Sequence, residues 1–258
     1  MIVNYFNEAT EGRNVTIELI GLNKGLFYTI HIERILFNLP TQHKIARTSL
    51  PNSSLPSPLS AGGEKGGGDL LIIIQDVDIT PDPLSFFTLV PQLNINGKLN
   101  LGTIHGLIAI RQPAPNMHIV GENIQIKGLP MVERTGISGD GTLKFNFLRG
   151  DQKGVVTFSI DNAKLKGDIT GIGVLPLDVF KSVKGLLTIE DTVNVDSLTM
   201  EGKGIYVRMK GTIKESNFDG NIEIMMDSSF DLYAMLQALL ERYKISTGYY
   251  VIPYTKKI

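Results

Sequence analysis

The sequence predicts a mainly β protein: a long curved antiparallel sheet, or an open β-sandwich, of repeated strands. Three observations predict it. Apolar and polar residues alternate almost without a break from Leu93 to Met226, the period of a strand with one buried and one solvated face. Single glycines or short Gly/Asp/Asn clusters punctuate that alternation every ~8–14 residues, as antiparallel strands require. The composition, with 27 glycines and only 7% aromatics, suits many turns and thin strands better than a helical bundle.

The elements follow in order. Residues 2–10 can form a short N-terminal helix, with Ile2, Val3, Tyr5, Phe6 and Ala9 apolar and Gly12 as its stop. Strands are expected at Val15–Ile20 and Tyr28–Asn38, joined by the turn Gly21-Leu22-Asn23-Lys24-Gly25. Ile30, Ile32 and Ile35 carry the apolar side of the second. Arg47–Asp69 holds Pro51, Pro56, Pro58, many serines and the run Gly62-Gly63-Glu64-Lys65-Gly66-Gly67-Gly68, the composition of a disordered loop. Closing it costs only about 3 kcal/mol plus a constant, so it reads as an insertion within one domain spanning 1–258. Strand character resumes at Leu70–Ile79.

Further on, Leu143, Phe145 and Phe147 alternate with polar neighbours, as do Val156, Phe158 and Ile160, Ile205, Val207 and Met209, and Ile222, Ile224 and Met226. Pro83–Leu89 and Pro176–Lys184 each predict a short helix opening on proline. Their shared pattern, Pro83-Leu84-x-x-Phe87 and Pro176-Leu177-x-x-Phe180, suggests a weak internal repeat over 81–175 and 176–258. Ser229–Lys244 is the strongest helix, with Ser228 and Asp231 spaced as a loose capping box. Its stripe is Leu232, Met235, Leu236, Leu239, Leu240 and Tyr243. At about 24 Å it is too short to span a bilayer. Burying the stripe on the sheet would contribute on the order of 10 kcal/mol gross. Tyr249–Tyr254 forms a last strand.

Charge and motifs narrow the function. The 25 Lys+Arg against 26 Asp+Glu give a formal net charge of −1, which argues against a nucleic-acid partner held by a basic face. With no cysteine there is no disulfide, thiolate nucleophile or Cys-ligated zinc. No run is long enough for a transmembrane helix and no signal peptide is recognisable. The abrupt opening on Ile2-Val3-Asn4-Tyr5-Phe6 is nonetheless the kind of start that follows a membrane anchor.

Gly62–Gly68 lacks the spacing of a phosphate loop, and Gly136-x-x-Gly139-x-Gly141 runs into a strand rather than a helix, which removes the dinucleotide fingerprint. His31, His43, His105 and His118 are scattered. His31 beside Glu33 could begin a metal site or a relay, but a solvated strand face explains the pair. Asp76 and Asp78 would share a sheet face; they could hold a hard cation, or form the polar side of an edge strand. Glu190 and Asp191 are a second acid pair. No serine has a nucleophile-elbow context. The reading is a non-enzyme with no catalytic residue, no cofactor and no metal site.

The order of pieces carries a resemblance. Ala9-Thr10-Glu11-Gly12-Arg13-Asn14-Val15-Thr16-Ile17 resembles the opening of AsmA-like envelope proteins, here with Glu11 inserted. Pro83–Phe87 through Leu93–Leu99 to Thr103–Gly106 is similar too, as is Leu175-Pro176 through Lys184–Ile189 to Met200–Gly202 and Met209–Ile213. The tail, Leu232–Tyr243 and then Gly248-Tyr249-Tyr250-Val251-Ile252-Pro253-Tyr254, resembles the type II secretion system protein N family. The resemblance covers most of the chain outside Arg47–Asp69.

It implies a periplasmic domain held at the bacterial inner membrane by an anchor absent from this chain, acting as a structural accessory or adaptor of a secretion apparatus. The partners would then be other secretion-system proteins. The alternative it implies is a lipid-binding or lipid-transfer domain that holds acyl chains on an apolar sheet face. Leu232, Leu236, Leu239 and Tyr243 are the candidate contact residues, either closing the fold or meeting a partner or lipid.

Overall fold

The computed structural model describes residues 16–25, 28–39, 69–112, 114–130, 132, 137–150, 152–167, 176–215 and 217–257. The expected helix over 2–10 and nearly all of the 47–69 loop lie outside these residues; Asp69 opens a strand.

Fourteen strands form one antiparallel sheet. They are β1 (Thr16–Lys24), β2 (Ile30–Leu39), β3 (Asp69–Pro81), β4 (Gln92–Leu99), β5 (Gly102–Ala109), β6 (Asn116–Gln125), β7 (Ser138–Gly150), β8 (Lys153–Lys166), β9 (Phe180–Ile189), β10 (Val193–Gly202), β11 (Ile205–Lys214), β12 (Asn217–Met226), β13 (Lys244–Ser246) and β14 (Tyr249–Lys257). Neighbours in sequence are neighbours in space from β1 to β12. Then β14 pairs with β12, and the short β13 lies outside it. The sheet is open, with β1 and the β13/β14 side as edges. The first strand runs on through Lys24, so residues expected to be a turn continue the β1–β2 ladder, Leu22 opposite Ile32.

The meander gives the sheet two ends. The turns β1–β2, β3–β4, β5–β6, β7–β8, β9–β10 and β11–β12 lie at one, the turn end. The turns β4–β5, β6–β7, β8–β9 and β10–β11 lie at the other, with the α-helix α1 (Tyr233–Leu240). This is the helix end. A 3-10 turn, Glu241–Tyr243, continues α1 into β13. Among the described residues no helix is long and apolar enough to cross a membrane.

The apolar alternation is kept on one face by one-residue phase shifts. In β3, Asp76 takes a left-handed φ of 49°, and Ile74 and Val77 both come to lie on the side of Gly97. Asn123 (φ 55°) does the same in β6, between Gly121 and Ile124, and Asn162 (φ 53°) in β8, between Ile160 and Ala163. In β10 the register slips between Val195 and Leu198. Bulges of this kind bend a strand and increase its twist. Without them Ile124, Ala163 and Leu165, all buried, would turn to solvent.

Three expectations are corrected here. Pro176–Lys184 is not a helix: Leu177–Val179 makes a single 3-10 turn and Phe180 already begins β9. Cross-strand pairing of Phe180 with Gly202 and burial of both Leu177 and Phe180 outweigh the helical start signal. Pro83–Thr88, by contrast, is a 3-10 turn, but it lies at the turn end with Leu84 and Phe87 exposed, whereas its sequence counterpart lies buried at the helix end. The long helix is also shorter than its stripe suggested, and Ser228 does not cap it. Asp227 is the residue that accepts from the backbone N–H of Ser229, at 2.7 Å; the Ser229 hydroxyl first, and then this backbone bond, lower the pKa of its carboxyl group.

Candidate functional site

The ladders place apolar residues in rows that cross the sheet, because directly opposed residues share a face. A central row runs Gly97, Ile104, Gly121, Phe145, Phe158, Gly185, Leu198, Met209, Ile222 and Ile252. Toward the turn end the next row is Ile30, Ile79, Ile95, Gly106, Ile119, Phe147, Val156, Leu187, Val195, Gly211, Gly220 and Tyr254. Toward the helix end the row is Ile124, Leu143, Ile160, Val183, Met200, Val207, Ile224 and Tyr250. No charged residue interrupts any of them.

Burial grades across these rows. In the helix-end row every residue but Leu143 and Ile160 is buried, and Phe230, Leu236 and Leu240 join the same cluster above it. In the turn-side row every residue except Val195 is only half-buried. The described residues put no second layer over that row. Among the described residues the result is an apolar band along one face of the sheet, here called the trough, covered at the helix end and uncovered toward the turn end.

Aromatic rings level its floor. A Cβ on Gly121 would collide with the ring of Phe145 and one on Gly185 with Phe158; one on Gly211 or Gly220 would meet first the facing backbone, Asp219 O or Lys210 O, and then the Phe218 ring. These rings therefore lie across the neighbouring strand, over backbone that glycine leaves bare. Phe218 also meets Tyr254, ring centroids 6.0 Å apart.

Two hydroxyls belong to this face. Tyr250 is fully buried and its hydroxyl has no hydrogen-bond partner among the described residues; the Tyr254 hydroxyl is likewise buried and unpaired. Burial raises the pKa of Tyr250, because the phenolate would lose its hydration there.

The residues singled out on the helix divide. Leu236 is 2% exposed and Leu240 is buried beside it, but Leu239 is 51% exposed and Met235 also faces outward. Leu240 lies only about 40° around the helix from Leu236, while Leu239 lies about 60° away on the other side. The 3-10 turn after Leu240 ends the stripe. Leu232 and Tyr243 are half-buried against the core cluster, and the Arg242 guanidinium sits 4.5 Å from the Tyr243 ring centroid.

On the polar face the expected metal candidates have other partners. His31 Nδ1 lies 2.8 Å from Asp78 Oδ1, and Lys98 Nζ donates to Asp76 Oδ2 at 3.0 Å. The two acids thus face different neighbours. His105 meets Asn96 and Glu190 pairs with Lys153 across a turn, while His118 stays exposed; His43 lies outside the described residues. Among the described residues no group of three His, Asp or Glu side chains is placed to hold a metal ion.

A two-pronged cross-strand contact joins Arg208 to Glu223, and this hydrogen bonding raises the Arg208 pKa. An open depression of about 450 Å³ lies beside Lys144, Asn146, Thr157, Ser159 and Lys184. Their side chains alternate away from Phe145 and Phe158. Gly139 and Gly141 enter β7 as part of its ladder or bulge.

The sequence predicts an apolar sheet face, but glycine hides part of its make-up in the alternation. Gly97, Gly106, Gly121, Gly185, Gly211 and Gly220 all occupy positions where the period calls for an apolar side chain, and an aromatic on the next strand supplies it for several. No family model, curated protein or solved structure matches the chain.

Proposed function

We propose that the apolar trough holds lipid acyl chains, and that the protein is a non-enzymatic lipid-handling component of the bacterial envelope, working on the periplasmic side of the inner membrane. The observation that carries this reading is the half-buried row from Ile30 to Tyr254. At ~4.8 Å per strand it extends on the order of 50 Å without a charge. A protein rarely leaves so large an apolar surface uncovered unless something occupies it. The resemblance to AsmA-like envelope proteins supports the same reading.

The test is to extract the purified chain with organic solvent and measure bound amphiphile by mass spectrometry, beside Leu187→Glu. That substitution puts a charge on the half-buried row. Wild type should carry lipid and the variant should carry much less. A lipid-free extract, together with failure to take up a fluorescent fatty acid, would sink the proposal.

A second reading, an adaptor that binds other secretion-system proteins through a strand edge, is favoured by β14. Met226 N donates to Gly248 O at 2.8 Å, so alternate residues from Tyr250 onward aim their backbone groups at β12. Val251, Pro253 and Thr255 aim outward, and β13 covers only the start of that edge. Pro253 removes one outward donor, which blunts the edge without closing it. A lipid-free extract from protein that cross-links to a partner through Val251–Thr255 would favour this reading instead.

A further inference from the structure

Among the described residues, several of the most exposed apolar side chains sit on neighbouring turns at the turn end; Leu101, 90% exposed on the β4–β5 turn, lies apart from them at the helix end. Phe87 is 87% and Leu89 91% exposed on the β3–β4 turn, with Leu84 close behind. Tyr28 projects from the adjacent β1–β2 turn and Ile110 from the β5–β6 side. Thr29 and Thr80 hydroxyls meet at 3.4 Å, and Ile110 N donates to Pro91 O at 2.8 Å, so the three turns are tied into one rim.

This rim is built, not frayed. Asp82 Oδ1 accepts from Leu84 N at 3.0 Å, the Ser85 hydroxyl donates to Asp82 O at 2.6 Å and accepts from Gln92 N at 2.9 Å, and Ser85 itself is buried. Tyr28 and Leu89 hold left-handed backbone, φ 65° and 60°, where bulky residues are uncommon and Asn or Gly would be easier. Large apolar side chains thus stand outward on a rigid turn, against local preference.

We propose that this rim docks on an anionic lipid surface, with Leu84, Phe87, Leu89, Tyr28 and Ile110 entering the interfacial layer. Three observations select a membrane over other partners. Basic side chains flank the apolar ones: Lys24, whose Nζ lies 5.6 Å from the Tyr28 ring centroid, and Arg111 next to Ile110. Against these two cations the same turns carry one acid, Asp82, whose carboxylate is turned to the Leu84 backbone N–H. The rim is also continuous with the open end of the trough, through the half-buried Leu93, Ile108 and Met117, so an acyl chain leaving a bilayer here would meet apolar surface all the way. Aromatic and aliphatic residues beside Lys and Arg are the composition that settles at a headgroup boundary. The rim uses residues other than the trough's, so docking stands whether or not the trough retains lipid.

The experiment is flotation of the full chain with vesicles of phosphatidylglycerol mixed into phosphatidylcholine, against phosphatidylcholine alone. Wild type should float with the anionic vesicles, less so as salt rises. Phe87→Ser combined with Leu89→Asn, the latter suited to the left-handed position, should weaken binding about tenfold or more at unchanged melting temperature. Lys24→Glu with Arg111→Glu should erase the preference for anionic vesicles.

Leu101→Asn, at a 90% exposed left-handed position (φ 67°) on the β4–β5 turn at the opposite end, should change nothing. The proposal is overturned if wild type does not float, if the rim variant floats as well as wild type, or if Leu101→Asn is the one that fails. It is equally overturned if the rim variant turns an oligomer into a monomer while vesicle binding persists, which would make the rim a self-association surface. Loss of flotation with bound lipid retained would separate failure of docking from failure of the trough.

Discussion

Tyr250 illustrates how single residues set this face. Its hydroxyl is buried and finds no partner among the described residues, so it bears a desolvation cost and returns no hydrogen bond there. Tyr250→Phe should therefore leave stability unchanged or raise it by about 1 kcal/mol, read from the denaturation midpoint. The folded-state pKa lies above the ordinary 10.0. The native protein then holds the phenolic proton longer than the unfolded chain. Tyr250's contribution is fully present below pH 10 and is lost as pH climbs above it. Tyr250→Phe should flatten the alkaline fall in melting temperature; an unaltered alkaline limb would show that this ring does not sit where the core places it. At this scale the sequence was legible wherever alternation ran unbroken, as in Val156, Phe158 and Ile160. It was illegible at the phase shifts, because Asp76, Asn123 and Asn162 look like ordinary polar members of a strand. The sign is in the numbering: apolar positions switch parity across each of them, from Ile119 and Gly121 to Ile124 and from Ile160 to Ala163 and Leu165.

The helix shows what periodicity can and cannot give for an element. The stripe Leu232, Leu236, Leu239 and Tyr243 was drawn at the correct place in the chain, and Leu236 is indeed deep in the core. Its width was overdrawn, since a helix of 8 residues followed by a 3-10 turn buries one narrow edge rather than a face. The two leucines should therefore part company under mutation. Leu236→Ala should cost about 2–5 kcal/mol, the range for opening a cavity at a fully buried site. Leu239→Ala should stay within about 0.5 kcal/mol, as exposed positions do. Equal losses in chemical denaturation would mean that α1 packs with a different rotation. The proline signals at Pro83 and Pro176 were equally ambiguous for a physical reason. Proline fixes φ near −65° and lacks the N–H that a first helical turn would leave unpaired, which suits one 3-10 turn as well as several α-turns; at Pro176 the next residues have a strand partner waiting.

For the whole molecule, a meander in one sheet has no long-range closure to make it uniformly stable, so stability should follow burial along the chain. Fully buried apolar side chains crowd β9 to β14, with Phe180, Met200, Val207, Ile222, Tyr250 and Leu236 among them, whereas β1 to β3 contribute Ile32, Leu36 and Val77. Strands whose apolar side lies half open gain less from the hydrophobic effect per residue ordered, and they should open at lower free energy than the rest. Backbone hydrogen exchange should therefore be slowest in β9–β12 and β14 and progressively faster toward β1–β3. Occupation of the trough changes that profile in a way no structural core would. A ligand that binds only the folded sheet adds RT ln(1 + [L]/Kd), about 2.7 kcal/mol at a hundredfold excess over Kd. That gain should fall on the strands whose half-buried side chains it covers. Adding fatty acid should slow exchange most in β4–β8, around Ile95, Ile119, Phe147 and Val156, while leaving the α1–β14 end, already closed, almost as it was. If protection instead rose uniformly, or only beneath α1, the apolar row would be a feature of folding and not a place where a ligand lies.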